Sequence, residues 1–483
     1  MAQTRTSYTL SFWLFRKAIA VIYLLAFWGL YSQMEGLYGV RGILPIQDYI
    51  AGLTRHFGGI AVFKLPTLFW FFQSNLALKV LCGVGVIAAL LAVIGVLPGL
   101  CFLVIWVLYL SLVNVGQAFL SFQWDILLLE VGFLCLFMSP WVLWEKGPRR
   151  EPIIGLRFLV YWLLFRLMLG SGIVKLLSGD PQWRGLTALT FHYLTQPLPH
   201  IGGWLAHQLP VWAQKASVVM MFVIECILPF FIWGPKRFKQ IAFIGLISLQ
   251  MLILMTGNYG FFNLITLTLC IPLLPDAIWE KWGSKWTILR ERPKPAYHPL
   301  YLVPVTALIL TLSGTFELKR LGVPVPQPIQ ALTNVTYPYH IVGRYGLFAV
   351  MTTVRNEIDV QGSRDGRNWQ SYVFKFKPGA LDRPPIWVQP FHPRLDWQMW
   401  FAALNHYSNQ RWYLAFLSRC LEGSPDVLGL LQSNPFNESP PKYIRGVFDT
   451  YTYTTVGQLW ETGEWWQKEP QGLYSPVMSF QKQ

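Results

Sequence analysis

Apolar runs that approach the thickness of a bilayer recur through the first 315 residues, and a chain built this way must bury them in lipid or against one another. At about 20 residues per crossing, the runs fall at 18–31, 76–94, 100–113, 125–144, 153–169, 218–233, 241–255, 261–274 and 300–312. Only 13% of the 483 residues are charged, about half the share of an ordinary soluble chain. The expected class is a polytopic α-helical membrane domain of about nine spans.

Charge gives the orientation. If Arg5, Arg16 and Lys17 face the cytoplasm, nine crossings put Lys146, Arg149 and Arg150, then Lys236, Arg237 and Lys239, then the basic run 281–294 on the same side. That agrees with the excess of Lys and Arg in cytoplasmic loops, and it leaves everything after about residue 315 outside the cytoplasm. The first run follows Arg16 and Lys17, and no small-residue cleavage site precedes Glu35, so it is expected to stay in the protein.

From Glu317 onward the texture is water-soluble. This half carries +3 of the formal charge of +15, so the excess base belongs to membrane orientation and no nucleic-acid partner is expected. "LFAVMTTV", "EIDVQGS", "WQSYVFKF" and "YIRGVFDTYTYTT" read as strands, with Asp365-Gly366 turning a hairpin. "LDWQMWFAAL" and "RWYLAFLSRCL" carry helical spacing. The organisation is therefore a membrane domain at 1–315, an extended Pro-rich linker at 316–342 containing "GVPVPQPIQ", and a soluble β-rich, sandwich-like α+β domain at 343–483.

The six cysteines form no C-x-x-C pair, and His192, His200 and His207 are spaced unlike a helical metal pair, so no metal, disulfide or cofactor is expected. Asn334-Val-Thr and Asn437-Glu-Ser are acceptor sequons on the expected outer side.

The charges inside the apolar runs need partners or water. Asp125, Glu130, Arg157, Arg166, Lys175 and Glu225 form a candidate intramembrane polar network. At ~1.5 Å per residue, Arg166 and Glu130 reach a common depth, while Lys175 and Asp125 lie near the outer interface. The glycines of "GSG", Gly170 and Gly172, allow a helix break or a close helix contact. A break would leave Lys175 at the rim of an outward-facing polar pocket.

Four long motifs, "FQWDILLLEVGFL" (122–134), "RLMLGSGIVKLLSGDPQWRGLTALTFHYLTQPLP" (166–199), "TGNYGFFNLIT" (256–266) and "PRLDWQMWFAAL" (393–404), resemble the lipase maturation factor family. The resemblance covers nearly the whole chain. It implies a multi-pass membrane folding and assembly factor for exported lipases, sited in the endoplasmic reticulum membrane in a eukaryote or the plasma membrane in a bacterium. Eukaryotic members bring secreted lipases to their folded, dimeric, active state, and their C-terminal region is implicated in engaging the client. The expected partners are the bilayer and a lipase-like client, with Arg394, Asp396, Trp397 and Trp400 as candidate contacts; the core spacing of "DWQMWFAAL" equally fits a buried helix face, on which Arg394 and Asp396 are structural and the client surface lies elsewhere. The alternative is an enzyme or lipid-substrate binder. "GSGIVKLLSGDPQW" is similar to the segment of the vitamin K-dependent γ-glutamyl carboxylase family that carries its lysine base, which makes Lys175 the candidate base, since a desolvated lysine can titrate near neutrality.

Overall fold

The computed structural model describes residues 7–148, 151–282 and 302–480. Arg5, Arg149, Arg150 and nearly all of the basic run 281–294 lie outside the described residues, as do positions 300 and 301 of the last apolar run.

Among the described residues, seven helices are long and apolar enough to cross a membrane: Thr9–Tyr31, Asn75–Ile94, Pro98–Val115, Ile154–Leu177, Val211–Phe231, Lys236–Thr256 and Leu302–Arg320. The other two expected runs form shorter helices, Gln123–Met138 with 16 residues and Phe262–Leu273. Sixteen residues rise about 24 Å, less than the ~30 Å of a hydrocarbon core. The reason lies in burial. Trp124, Asp125, Leu127 through Gly132, Leu134 and Cys135 are all enclosed by protein, so this helix need not match lipid thickness.

The short helices nevertheless connect the two ends of the bundle. After Met138 the chain runs on beside the turn between its neighbours: Gly99 N donates to Pro140 O (3.1 Å), Leu97 N to Leu143 O (3.0 Å) and Glu145 N to Gly95 O (2.8 Å). Glu145 pairs there with Arg16 and, at 3.4 Å, with Lys17. The Phe262–Leu273 helix leads to Asp276, which accepts from Ser11 N (3.0 Å) and Ser7 Oγ (2.7 Å). Lys239 lies 4.7 Å over the Tyr161 ring, whose hydroxyl donates to Pro272 O. One end of the bundle thus gathers Arg16, Lys17 and Lys239, and the other end carries the C-terminal half.

Among its described residues that half holds one antiparallel sheet of order β2-β1-β3-β4, formed by β1 (Arg355–Ser363), β2 (Gln370–Ser371), β3 (Tyr443–Tyr453) and β4 (Trp466–Ser479). A single sheet with helices packed on it replaces the expected sandwich. The hairpin turns where expected, with Asp365 accepting from the backbone N–H of Arg367 and Asn368 (both 2.8 Å) and Gly366 at φ +76°. "LFAVMTTV" forms no strand, because its backbone serves the helical half: Phe348 O accepts from Trp183 Nε1 (2.9 Å) and Thr352 O from Thr195 Oγ1 (2.9 Å). The fourteen residues of β4 were not anticipated.

The stretch 316–342 is largely helical, not an extended linker. The Leu302–Arg320 helix runs into it, and Gln327–Thr336 forms a second helix with Pro326 at its N-cap and a proline in its first turn. Proline there costs no hydrogen bond and presets the helical φ, so these prolines start a helix. One continuous core of buried apolar side chains, from Phe15 and Leu128 through Trp397 and Phe416 to Ile444, runs through both halves.

Candidate functional site

Of the charged residues singled out in the apolar runs, Asp125, Glu130, Arg166, Lys175 and Glu225 are buried in separate ion pairs, two of which reach the C-terminal half, and Arg157 is half-buried. Asp125, in the first turn of its helix, is fully enclosed. Arg394 grips it with both guanidinium nitrogens, Nη1 to Oδ2 at 2.6 Å and Nη2 to Oδ1 at 2.8 Å. Tyr109 Oη donates to Oδ1 (2.6 Å), and Arg394 Nη1 also reaches Phe119 O (3.1 Å). The Arg394 backbone N–H donates to Gln33 Oε1 (2.8 Å). Burial alone would lower the Arg394 pKa, but the carboxylate of Asp125 outweighs it and holds the guanidinium above its usual range. A forked, two-point pair of this kind is among the stronger hydrogen-bonded contacts.

Glu130 and Arg166 meet as their depths require, in a buried salt bridge. Gly343 N donates to Glu130 Oε2 (2.7 Å), as does the Tyr345 hydroxyl, and Arg166 Nη1 donates to Gly343 O (3.2 Å). The pair therefore binds the chain that follows the last long helix. Lys175 joins Glu225 (2.7 Å) and donates to Ser171 O (3.1 Å), with the Trp183 ring 5.5 Å away. Arg157 lies 5.0 Å over the Tyr8 ring at the opposite end of the bundle.

These positions correct two expectations. Lys175 stands at no helix break: the Ile154–Leu177 helix is unbroken through Gly170 and Gly172. Those glycines permit close approach, since a Cβ on Gly172 would overlap Cys226 Sγ and one on Gly170 would stand 3.0 Å from Tyr345 O. Lys175 is 7% exposed and ion-paired, so its geometry is that of a compensated cation, and the catalytic alternative gains no support. Of the candidate client contacts, Arg394, Asp396 and Trp397 are interior and Trp400 is half-buried. Arg394 is 1% and Asp396 3% exposed, Trp397 is 2% exposed, and Trp400 spends its Nε1 on Thr195 O (2.7 Å). Asp396 accepts the backbone N–H of Phe376 (2.8 Å) and Lys377 (3.0 Å), and burial raises its pKa.

The sequence reading missed several members of this seam. Arg355 in β1 donates to the carbonyls of Leu194 (2.8 Å), Gln196 (2.6 Å) and Pro197 (3.2 Å), and pairs with Glu357 (2.6 Å), which Lys377 also meets at 2.9 Å. Arg355 and Glu357 sit two apart on one strand face, and charge alternation at that spacing was the available signal. Asp180 caps its helix at Gln182 N (2.8 Å) and reaches across to accept Met351 N (3.0 Å). Asn258 donates to Leu198 O (3.1 Å) and Ile386 O (2.8 Å) and accepts Val388 N (2.9 Å). Tyr259 Oη bonds His192 Nε2 (2.8 Å), and burial, then Lys175, pushes the His192 pKa down to about 4. His392, enclosed among Phe122, Trp124 and Trp397, is held well below its ordinary value by burial and then by Arg394.

The four long motifs of the sequence therefore converge on one structure, the joint between a helical bundle and a sheet-bearing half. Its carboxylates are occupied by cations and backbone donors, and among the described residues no group of three or more His, Cys, Asp or Glu could hold a metal. Fold and joint together define an integral, multi-pass membrane protein with a C-terminal part locked to one end of its bundle. Residues 10–281 match the lipase maturation factor transmembrane domain and residues 341–476 the lipase maturation factor C-terminal domain. The chain belongs to the lipase maturation factor family. It is 34% identical to lipase maturation factor 2 of Homo sapiens, over 96% of this chain and 82% of that protein. It is 33% identical to lipase maturation factor 1 of Bos taurus, over 98% of this chain and 90% of that protein. No solved structure matches.

Proposed function

We propose that this chain is a membrane-embedded maturation factor for exported lipases, with its C-terminal half on the non-cytoplasmic face: lumenal in an endoplasmic reticulum membrane, or exterior in a bacterial plasma membrane. The observation that carries the reading is the family match across both halves, residues 10–281 and 341–476. The division at 1–315, 316–342 and 343–483 goes with it. Nine crossings are retained by counting Gln123–Met138 and Phe262–Leu273 as spans enclosed by protein. Their support is that each leads from the end bearing the C-terminal half to the end bearing Arg16 and Lys17. The positive-inside rule then assigns that second end to the cytoplasm.

A client surface is needed outside the buried joint. Trp387 (53% exposed) and Trp460 (85% exposed) are exposed aromatics of the C-terminal half. Exposed large aromatics are the residues that most often anchor a protein contact, and these two replace Arg394, Asp396, Trp397 and Trp400 as proposed client contacts.

The test is complementation. Cells lacking their own lipase maturation factors, given this chain and a secreted lipase, should release lipase of restored specific activity. Release of lipase protein without activity, with the chain present and folded in the membrane, refutes the proposal.

A further inference from the structure

Between the first helix and the Asn75–Ile94 helix the chain makes a compact excursion that crosses nothing. It comprises the helix Ile46–Phe57, the turns Gly58–Ile60 and Ala61–Lys64, and the turn Leu68–Trp70. Its place is fixed by hydrogen bonds to the end of the Pro98–Val115 helix. Thr67 Oγ1 donates to Ser111 O (3.0 Å), Leu68 N to Ser111 Oγ (3.2 Å) and Asn114 Nδ2 to Pro66 O (2.8 Å). Asn114 also donates to Pro338 O (3.0 Å), and Ser424 and Arg419 bond the carbonyls of Arg41 and Gly42 just before the excursion. The excursion therefore lies at the end of the bundle that bears the C-terminal half.

Its outer surface is apolar to a degree that water does not tolerate in one patch. Ile60, Phe63, Phe71 and Phe72 are 63%, 78%, 74% and 64% exposed. The patch is not isolated. Directly after Phe72 the exposed side chains Leu76, Val80, Val84, Ile87, Leu90 and Ile94 follow at intervals of three and four along one face of the next helix. From Leu76 to Ile94 that stripe rises about 27 Å, close to the ~30 Å of hydrocarbon it must face. Leu76 accordingly marks one edge of the hydrocarbon, and Phe71 and Phe72 stand at that edge. The charges fit a headgroup layer: between residues 41 and 76 the chain has Arg41, Arg55 and Lys64 against the single acid Asp48. Arg55, Lys64 and Asp48 are exposed.

We propose that residues 57–72 form a non-spanning foot that enters the leaflet on the side of the C-terminal half, with Phe63, Phe71 and Phe72 at the boundary of headgroups and acyl chains and Arg55 and Lys64 among the phosphates. An interfacial segment of this kind lies about 5–10 Å into the boundary region. The foot extends the protein's grip on that leaflet beyond its spans and sets the height of the adjoining C-terminal half above the lipid.

The test uses the full chain in phosphatidylcholine nanodiscs, with Phe63→Cys, Phe72→Cys and, on the polar side, Asp48→Cys, each carrying a nitroxide label; the labelled parent corrects for the native cysteines. Electron paramagnetic resonance compares collision with oxygen, which concentrates in acyl chains, and with a water-soluble nickel chelate. The expected result is a several-fold higher oxygen-to-nickel ratio at 63 and 72 than at 48. Nickel access at 63 and 72 equal to that at 48 overturns the proposal. So does exclusion of both reagents, which would mean that protein, a second copy included, covers the patch. Melting of each variant against the parent verifies folding, and Phe71→Cys substitutes for Phe72→Cys if that variant does not fold.

Discussion

Arg394 and Asp125 carry a large electrostatic stake, because neither meets water and each is the other's compensation. Removing one partner of a buried pair leaves a bare charge and costs about 3–5 kcal/mol, whereas replacing both with neutral groups costs far less. Arg394→Ala should therefore lower the unfolding free energy by roughly that amount, and Arg394→Met combined with Asp125→Asn should recover much of it; thermal unfolding of purified protein in detergent measures both. Lys175 offers a sharper discrimination. Paired with Glu225 at 2.7 Å, it should yield, as Lys175→Ala, a lower melting temperature with lipase maturation per folded molecule largely retained. Full thermal stability with maturation abolished would show that the amine acts in its own right.

At the level of elements, the bundle depends on close approaches that only glycine allows. A Cβ on Gly132 would overlap the Tyr23 hydroxyl, which itself donates to Leu128 O (2.8 Å) on the same helix. Overpacking such a contact costs about 1–3 kcal/mol or more, so Gly132→Val should reduce the monodisperse fraction in size-exclusion chromatography, while Gly314→Ala, which meets open space, should not. The segment joining the hairpin to the Arg394–Ala403 helix carries His392, which is buried and held well below its ordinary 6.5. Its folded pKa lies beneath the unfolded one, so the folded state binds fewer protons; the associated stability is intact above about pH 6.5 and drains away as pH falls below it. Melting temperature should drop from pH 7 to 5 more steeply in the parent than in His392→Gln. Equal slopes would remove His392 from the acid response.

On the scale of the whole molecule, the two halves share one core and exchange charges across their joint, so neither is a free module. A chain ending at residue 315 loses Arg394, Gly343 and Tyr345, leaving Asp125 without its cation and Glu130 without two donors. Such a truncation should insert yet melt well below the full chain, as read by detergent-extracted melting of both. Orientation has a built-in reporter: Asn334, exposed in its sequon, should acquire an endoglycosidase-sensitive glycan in a eukaryotic host if the C-terminal half is lumenal, and an unmodified Asn334 in fully inserted protein would reverse the assignment.

Membrane embedding, the change to a sheet-bearing C-terminal half, the Asp-Gly hairpin and the meeting of Glu130 with Arg166 were all legible in the chain, because periodicity, charge density and rise per residue are local quantities. The two short enclosed helices, the helix begun by Pro326 and β4 were not, since each depends on what packs alongside. The partner of Asp125 was hidden for the same reason: Arg394 is 269 positions away. A carboxylate in an apolar helix announces that it needs a cation, but only the folded chain decides which cation arrives.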